Sequence, residues 1–215
     1  VATPWFENPV QGTREGRFGE IMPQDEFIGM LKIADSFDLV KLTADFSKAV
    51  VEKLKAHELF SDAELEKFKD SEEIDSIKTF VNEHHAEGLY HMGELVGCVK
   101  RAHEVDNSLT AHIMFENLVV KASGVLAVKH LMKNSSVKAD EIENVIECSE
   151  EACGDMNQRG GGNFAKSIAE ACSFTNATGS DTRGFCAGPT HALINAAALV
   201  KSGVYKHVVV VGGGA

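Results

Sequence analysis

Four consecutive valines, Val208–Val211, held between His207 and Gly212, most constrain what this chain can fold into. A β-branched run this apolar has no polar face to offer water. It reads as a strand covered on both sides, as in a parallel sheet flanked by helices. The sequence before it fits that demand. A helix is expected over about 110–133, with Phe115, Leu118, Val119, Ala122, Val125 and Leu126 along one side. A polar connection over 134–144 leads to a strand at 144–149. Glycines then precede a helix at 163–172, a weaker strand at 177–181, and an apolar helix at 190–202 between Pro189 and Gly203. Strands alternating with helices predict a largely parallel sheet, so residues 106–215 are expected to form a partial layered α/β domain ending after a central strand.

Residues 1–105 have another character: charged, and mainly helical in pattern. The lead-in to about Pro23, with Gly12, Gly16 and Gly19, reads as extended or looped. Helical spacing follows at 25–37 (Phe27, Ile28, Leu31, Phe37) and at 45–56 (Phe46, Val50, Leu54). Ser61 with Glu64 forms a capping-box signature for a short helix at 62–69. Ile77, Val81, Gly88, Met92, Leu95 and Val99 suggest a long helical stretch over about 72–104, interrupted by two glycines.

Bulk properties narrow the function. With 21 basic and 32 acidic residues the formal net charge is −11, and no basic face is apparent, which argues against nucleic acid and anionic membrane surfaces as partners. No apolar run approaches the roughly 20 residues of a membrane span, and the first residues lack the basic start and apolar core of a signal peptide. Five irregularly spaced cysteines without a CxxC pair suit a cytoplasmic protein with reduced thiols.

One of those thiols stands in a chemical context. Cys186 follows a strand-like segment and Gly184, and precedes Gly188, Pro189 and an apolar helix. Its sulfur is thereby expected near a helix N-terminus, where unpaired N–H groups and the helix dipole stabilise a thiolate. Its own N–H is a candidate oxyanion donor, and Gly184 and Gly188 permit the tight turn. A small buried cysteine at a crowded corner remains the plain alternative. Arg183 and Asp181 either orient a substrate or pair with each other. Arg159 with Gly160, Gly161 and Gly162 either cradles a phosphate or forms a plain loop before the next helix. His84, Glu87, His91 and Glu94 would share one helical face, but surface His/Glu pairs are common and no metal is expected. His191 is placed too far along the helix to act as a catalytic base.

The segment also carries a resemblance. Cys186-Ala187-Gly188, the alanines 196–198, Ser202-Gly203-Val204-Tyr205-Lys206 and the valine strand resemble the thiolase superfamily, closest to 3-oxoacyl-carrier-protein synthase III. CGDMNQRGGGNFAKSIAEA at 153–171, SDTRGFCAGP at 180–189 and RFGEIMPQDEFIGMLKI at 17–33 resemble, more specifically, the beta subunits of component C of the glycine/sarcosine/betaine reductase complex. The resemblance implies a partial thiolase-like fold preceded by a family-specific helical region. It implies an acyl-transfer subunit in which Cys186 carries an acetyl thioester, formed from a two-carbon unit delivered as a selenoether and released by phosphate as acetyl phosphate. No tightly bound cofactor is implied, and phosphate is the co-substrate. The implied partners are an alpha subunit of component C, a selenoprotein carrier, and a second copy of the chain, met through the sheet edge near 177–182. Further catalytic groups would come from a C-terminal half outside this sequence, so the chain is expected to be an internal piece of a longer protein. Two rivals stand beside this reading: a condensing enzyme using acyl-CoA and acyl carrier protein, and a non-catalytic interaction subunit of the same fold.

Overall fold

The computed structural model describes residues 11–17, 19–149 and 163–214. The valine strand lies in a parallel sheet, as expected, but its cover is uneven: Val209 and Val211 are buried and Val208 and Val210 half-buried, and among the described strands it is at the sheet's edge. Strands β6 (Asn144–Glu147), β7 (Thr178–Asp181) and β8 (Val208–Val211) form a parallel sheet in the order β7-β6-β8. Register places Glu147 level with Asp181 on one side and Val211 on the other, so all three strands end together. Helices α5 (Ala111–Lys133) and α6 (Phe164–Ala171) pack with the main core. Helix α7 (Gly188–Lys201) takes the smaller cluster of Ile146, Cys148 and Ala192. Glycines allow close approach: a Cβ on Gly179 would lie 2.9 Å from Ala165 Cβ, and one on Gly213 would lie 2.0 Å from the Val120 carbonyl.

Helix α5 is long and apolar enough to cross a membrane by length and composition, an exception to the expectation that no run is. It is packed as a core helix: Met114, Leu118, Val120 and Ala122 are fully buried. Thr110 caps it by accepting from the Ile113 N–H.

The first half departs from the mainly helical expectation. Strands β1 (Thr13–Gly16) and β2 (Gly19–Ile21) make a hairpin within the lead-in. Helices α1 (Gln24–Ala34), α2 (Ala44–Lys55) and α3 (Asp62–Leu65, continued by a 3-10 turn to Lys69) follow the predicted spacing, and Ser61 and Glu64 form the capping box. Between α1 and α2 lies a short strand, β3 (Val40–Leu42). The long helix over 72–104 is the main correction. Helix α4 (Ile74–Glu83) stops, and β4 (Glu87–His91) and β5 (Glu94–Val99) form an antiparallel sheet with β3 in the order β3-β5-β4. His85 leaves the helix at φ 55°, and Met92 and Gly93, at φ 52° and 84°, make the two-residue reversal between the strands. Cys98, on the α4 side, packs with Ile77 and Ala86. One hydrophobic cluster runs from Ile28 and Val99 through Leu118 to Val145 and Val211, so the buried core is continuous across residue 105.

Candidate active site

The three parallel strands end beneath the loop that carries Cys186, the edge at which open α/β sheets place their ligands. After β7 the chain makes a 3-10 turn, Phe185–Ala187, and enters α7 with Pro189 in its first turn. Cys186 lies on that turn and is exposed. The preceding residue, Phe185, is 80% exposed and holds φ 46°, a left-handed conformation a bulky side chain rarely adopts. Gly184 and Gly188 allow close approach at this turn. A Cβ on Gly184 would come 3.2 Å from His191 Cδ2, so the glycine lets that imidazole lie across the turn. A Cβ on Gly188 would meet the Cys148 carbonyl at 3.1 Å, so α7 starts directly against the end of β6. His191, set aside on sequence spacing, is thus brought back to the turn.

Asp181 and Arg183 face the scaffold. The Asp181 carboxylate accepts from the backbone N–H groups of Phe164 and Ala165, both at 3.0 Å, and so caps the start of α6. Arg183 donates through one terminal nitrogen to Glu147 Oε2 at 2.6 Å and through the other to Asp181 Oδ2 at 3.3 Å. They pair with each other, as the plainer sequence reading allowed, and with a partner that reading missed. Glu147 ends β6 with no exposed surface. Its Oε1 accepts from the Ser149 N–H at 2.6 Å, and Ser149 Oγ in turn accepts from the Gly213 N–H at 2.7 Å. A charged residue directly after the apolar pair Val145–Ile146 of a strand candidate was the available signal: full burial demands a partner.

The other described cysteines have thiols pushed toward the protonated form. Burial raises the thiols of Cys98, to about 11, and Cys172, to about 12, so both stay protonated at neutral pH. Cys148 is raised by burial first and by neighbouring Glu147 second, and its sulfur meets the Val211 carbonyl at 3.4 Å. Cys153, Arg159, Gly160, Gly161 and Gly162 lie outside the described residues. The His84, Glu87, His91 and Glu94 grouping does not form on one helix: His84 is the C-cap just after α4, Glu87 and His91 lie on β4, and Glu94 opens β5.

Metal-ligating residue types do meet elsewhere, at Glu20, His57 and His130. Both histidines bring Nε2 to Glu20 Oε2, at 2.9 and 2.5 Å. His57 Nδ1 accepts from the Leu59 N–H at 3.3 Å, which assigns the ring proton to Nε2, where it faces the carboxylate. A metal would need that nitrogen's lone pair. The trio is therefore a hydrogen-bonded clasp, completed by an ion pair from Arg14. Burial pushes Glu20 upward, but the hydrogen bonds from His130, His57 and Arg14 outweigh it and hold the carboxyl below the usual range.

Residues 180–215, from the end of β7 through Cys186 and α7 to β8, match the family 3-oxoacyl-[acyl-carrier-protein (ACP)] synthase III. Over its whole length the chain is 56% identical to the glycine/sarcosine/betaine reductase complex component C subunit beta of Peptoclostridium acidaminophilum. The chain spans 42% of the relative's own length. No solved structure matches it.

Proposed function

We propose that this chain is the nucleophile-bearing part of a thiolase-like acyl-transfer subunit, and that Cys186 carries an acetyl group as a thioester. The observation that carries the reading is the placement of Cys186 on a 3-10 turn between a parallel strand and the N-terminus of α7. Backbone N–H groups and the positive end of the helix dipole favour a thiolate at such a position. In the proposed reaction a phosphate oxygen attacks the thioester carbonyl, the carbon–sulfur bond breaks, and Cys186 leaves as thiolate with acetyl phosphate as product. The acetyl unit derives from glycine, sarcosine or betaine. The subunit works in the cytoplasm with an alpha subunit of component C and a selenoprotein carrier, and pairs with a second copy through the edge strand β7. Catalytic groups that complete the site come from the longer protein.

The reaction run backwards tests this. Full-length protein incubated with acetyl phosphate is expected to gain one acetyl group on the peptide containing Cys186, removable by hydroxylamine and absent from Cys186→Ala. Iodoacetamide should also alkylate Cys186 well below pH 8.5, about where an ordinary thiol titrates. Absence of the adduct together with an ordinary titration would overturn the assignment. The match over residues 180–215 favours a second reading, a condensing enzyme loaded from acyl-CoA. Acetylation of Cys186 by acetyl-CoA but not by acetyl phosphate would select it.

A further inference from the structure

We propose that the ion pair between buried Glu147 and the more exposed Arg183 is a positioning device for Cys186: it ties the β7–α7 connection to the end of β6 and so sets the turn that presents the thiol at the start of α7. The inference rests on the reading of Cys186 as a nucleophile and names what holds that nucleophile in place.

Three observations carry it. First, the pair is placed where geometry is decided. Glu147 is wholly buried at the end of the central strand, and its two oxygens reach different neighbours, Arg183 after β7 and the Ser149 N–H after β6. Through Ser149 Oγ and the Gly213 N–H the same network reaches the end of β8. One carboxylate thus laces together the ends of all three strands. A well-packed apolar residue in place of a buried carboxylate and its partner is often as stabilising, so the distinctive output of Glu147 is directional.

Second, Gly184 and Phe185 alone separate Arg183 from Cys186, and Phe185 sits at φ 46°. A strained residue persists where its surroundings over-determine it. The anchors here are Arg183 on one side, held by Glu147 and Asp181, and Gly188 on the other, seated against the Cys148 carbonyl. Third, Arg183 is committed to two carboxylates. Its charge is directed at the scaffold, while the thiol lies at the start of a helix whose terminus favours a thiolate, so the position of the turn matters.

The test is Cys186 alkylation by iodoacetamide against pH, read by peptide mass spectrometry, in full-length wild type, Glu147→Gln and Arg183→Lys. Protection of Cys98, fully buried between β5 and α4, reports an intact fold. Glu147→Gln keeps the shape and removes the charge. It should slow alkylation near neutral pH about tenfold and move the midpoint upward, because a displaced turn loses its alignment with the helix terminus. Arg183→Lys keeps the charge but cannot span both carboxylates, and should shift the midpoint upward by less. A Glu147→Gln profile that superimposes on wild type, or a midpoint that moves down, would overturn the proposal. If Glu147→Gln exposes Cys98, Arg183→Lys decides on the same criterion. If wild-type Cys186 titrates as an ordinary thiol, the nucleophile reading fails and the positioning role falls with it; an activated wild type with unshifted variants sinks the positioning role alone.

Discussion

The two larger sheets among the described residues differ in strand direction and in where their burial falls. In the parallel sheet, every residue of the central strand β6 is buried, β8 alternates half-buried and buried valines, and the edge strand β7 has no buried residue. In the antiparallel sheet, β4 carries Glu87, Tyr90 and His91 at least partly exposed, and β5 becomes fully buried only from Val96 onward. The first sheet needs helices on both faces to exist, and its chain supplies them in strict alternation. The second needs one covered face, and takes α1 and α5 on one side with α4 on the other. What this teaches is where chemistry can be placed. The parallel sheet brings three strand ends and a helix start to one edge. The antiparallel sheet offers no such edge and contributes to stability through the shared core.

That core gives the comparison its severest test. Leu118 on α5 is fully buried in the cluster joining the two sheets. Leu118→Ala should cost about 4 kcal/mol, and denaturant unfolding of the full-length protein should keep the two sheets in one transition. Far-UV and near-UV signals that separate would break the picture of a continuous core and make the sheets independent units.

A smaller effect is expected at the clasp, which binds the β1–β2 hairpin to the ends of α2 and α5. Glu20→Ala leaves His57 and Arg14 without their common acceptor and should cost about 3 kcal/mol. The pH dependence has a definite sign. Because the folded state holds the Glu20 carboxyl below its ordinary value, it binds fewer protons than the unfolded state. The clasp's contribution is then fully present above about pH 4.3, the ordinary glutamate value, and is lost as pH falls through the depressed folded value. Melting temperatures of wild type and Glu20→Ala should therefore converge on acidification. A constant gap between them would assign the cost to packing instead of charge.

What could be read from the sequence follows the same division. The valine run, the capped helices and the strand–Gly–Cys–Gly–helix order around Cys186 were legible because each is a local pattern with one physical meaning. Glu147 as partner of Arg183 was not, since the two are 36 residues apart and meet through strand register. The Glu20–His57–His130 clasp was hidden for the same reason. The β4–β5 hairpin was misread because Ile77, Val81, Gly88, Met92, Leu95 and Val99 fall at intervals of three, four and seven. Those intervals mimic a helical stripe while half of the residues belong to strands. Met92, counted on that stripe, is 86% exposed.

The smallest predicted effect separates the two interpretations of that segment. At the reversal His91 pairs with Glu94, leaving Met92 and Gly93 as the two central residues, both at positive φ. That is a type I′ turn, whose first central position favours asparagine. Asparagine tolerates the left-handed conformation better than methionine does. In a helix the same exchange would be unfavourable, since methionine is the better helix former. Met92→Asn should thus stabilise the protein by about 0.5 kcal/mol, measured as a raised denaturation midpoint with an unchanged denaturant slope. The exposed thioether buries no surface whose loss could offset the gain. A lowered midpoint of similar size would mean that residues 87–99 do not turn at Met92–Gly93, and the contrast between the two sheets would lose its antiparallel member.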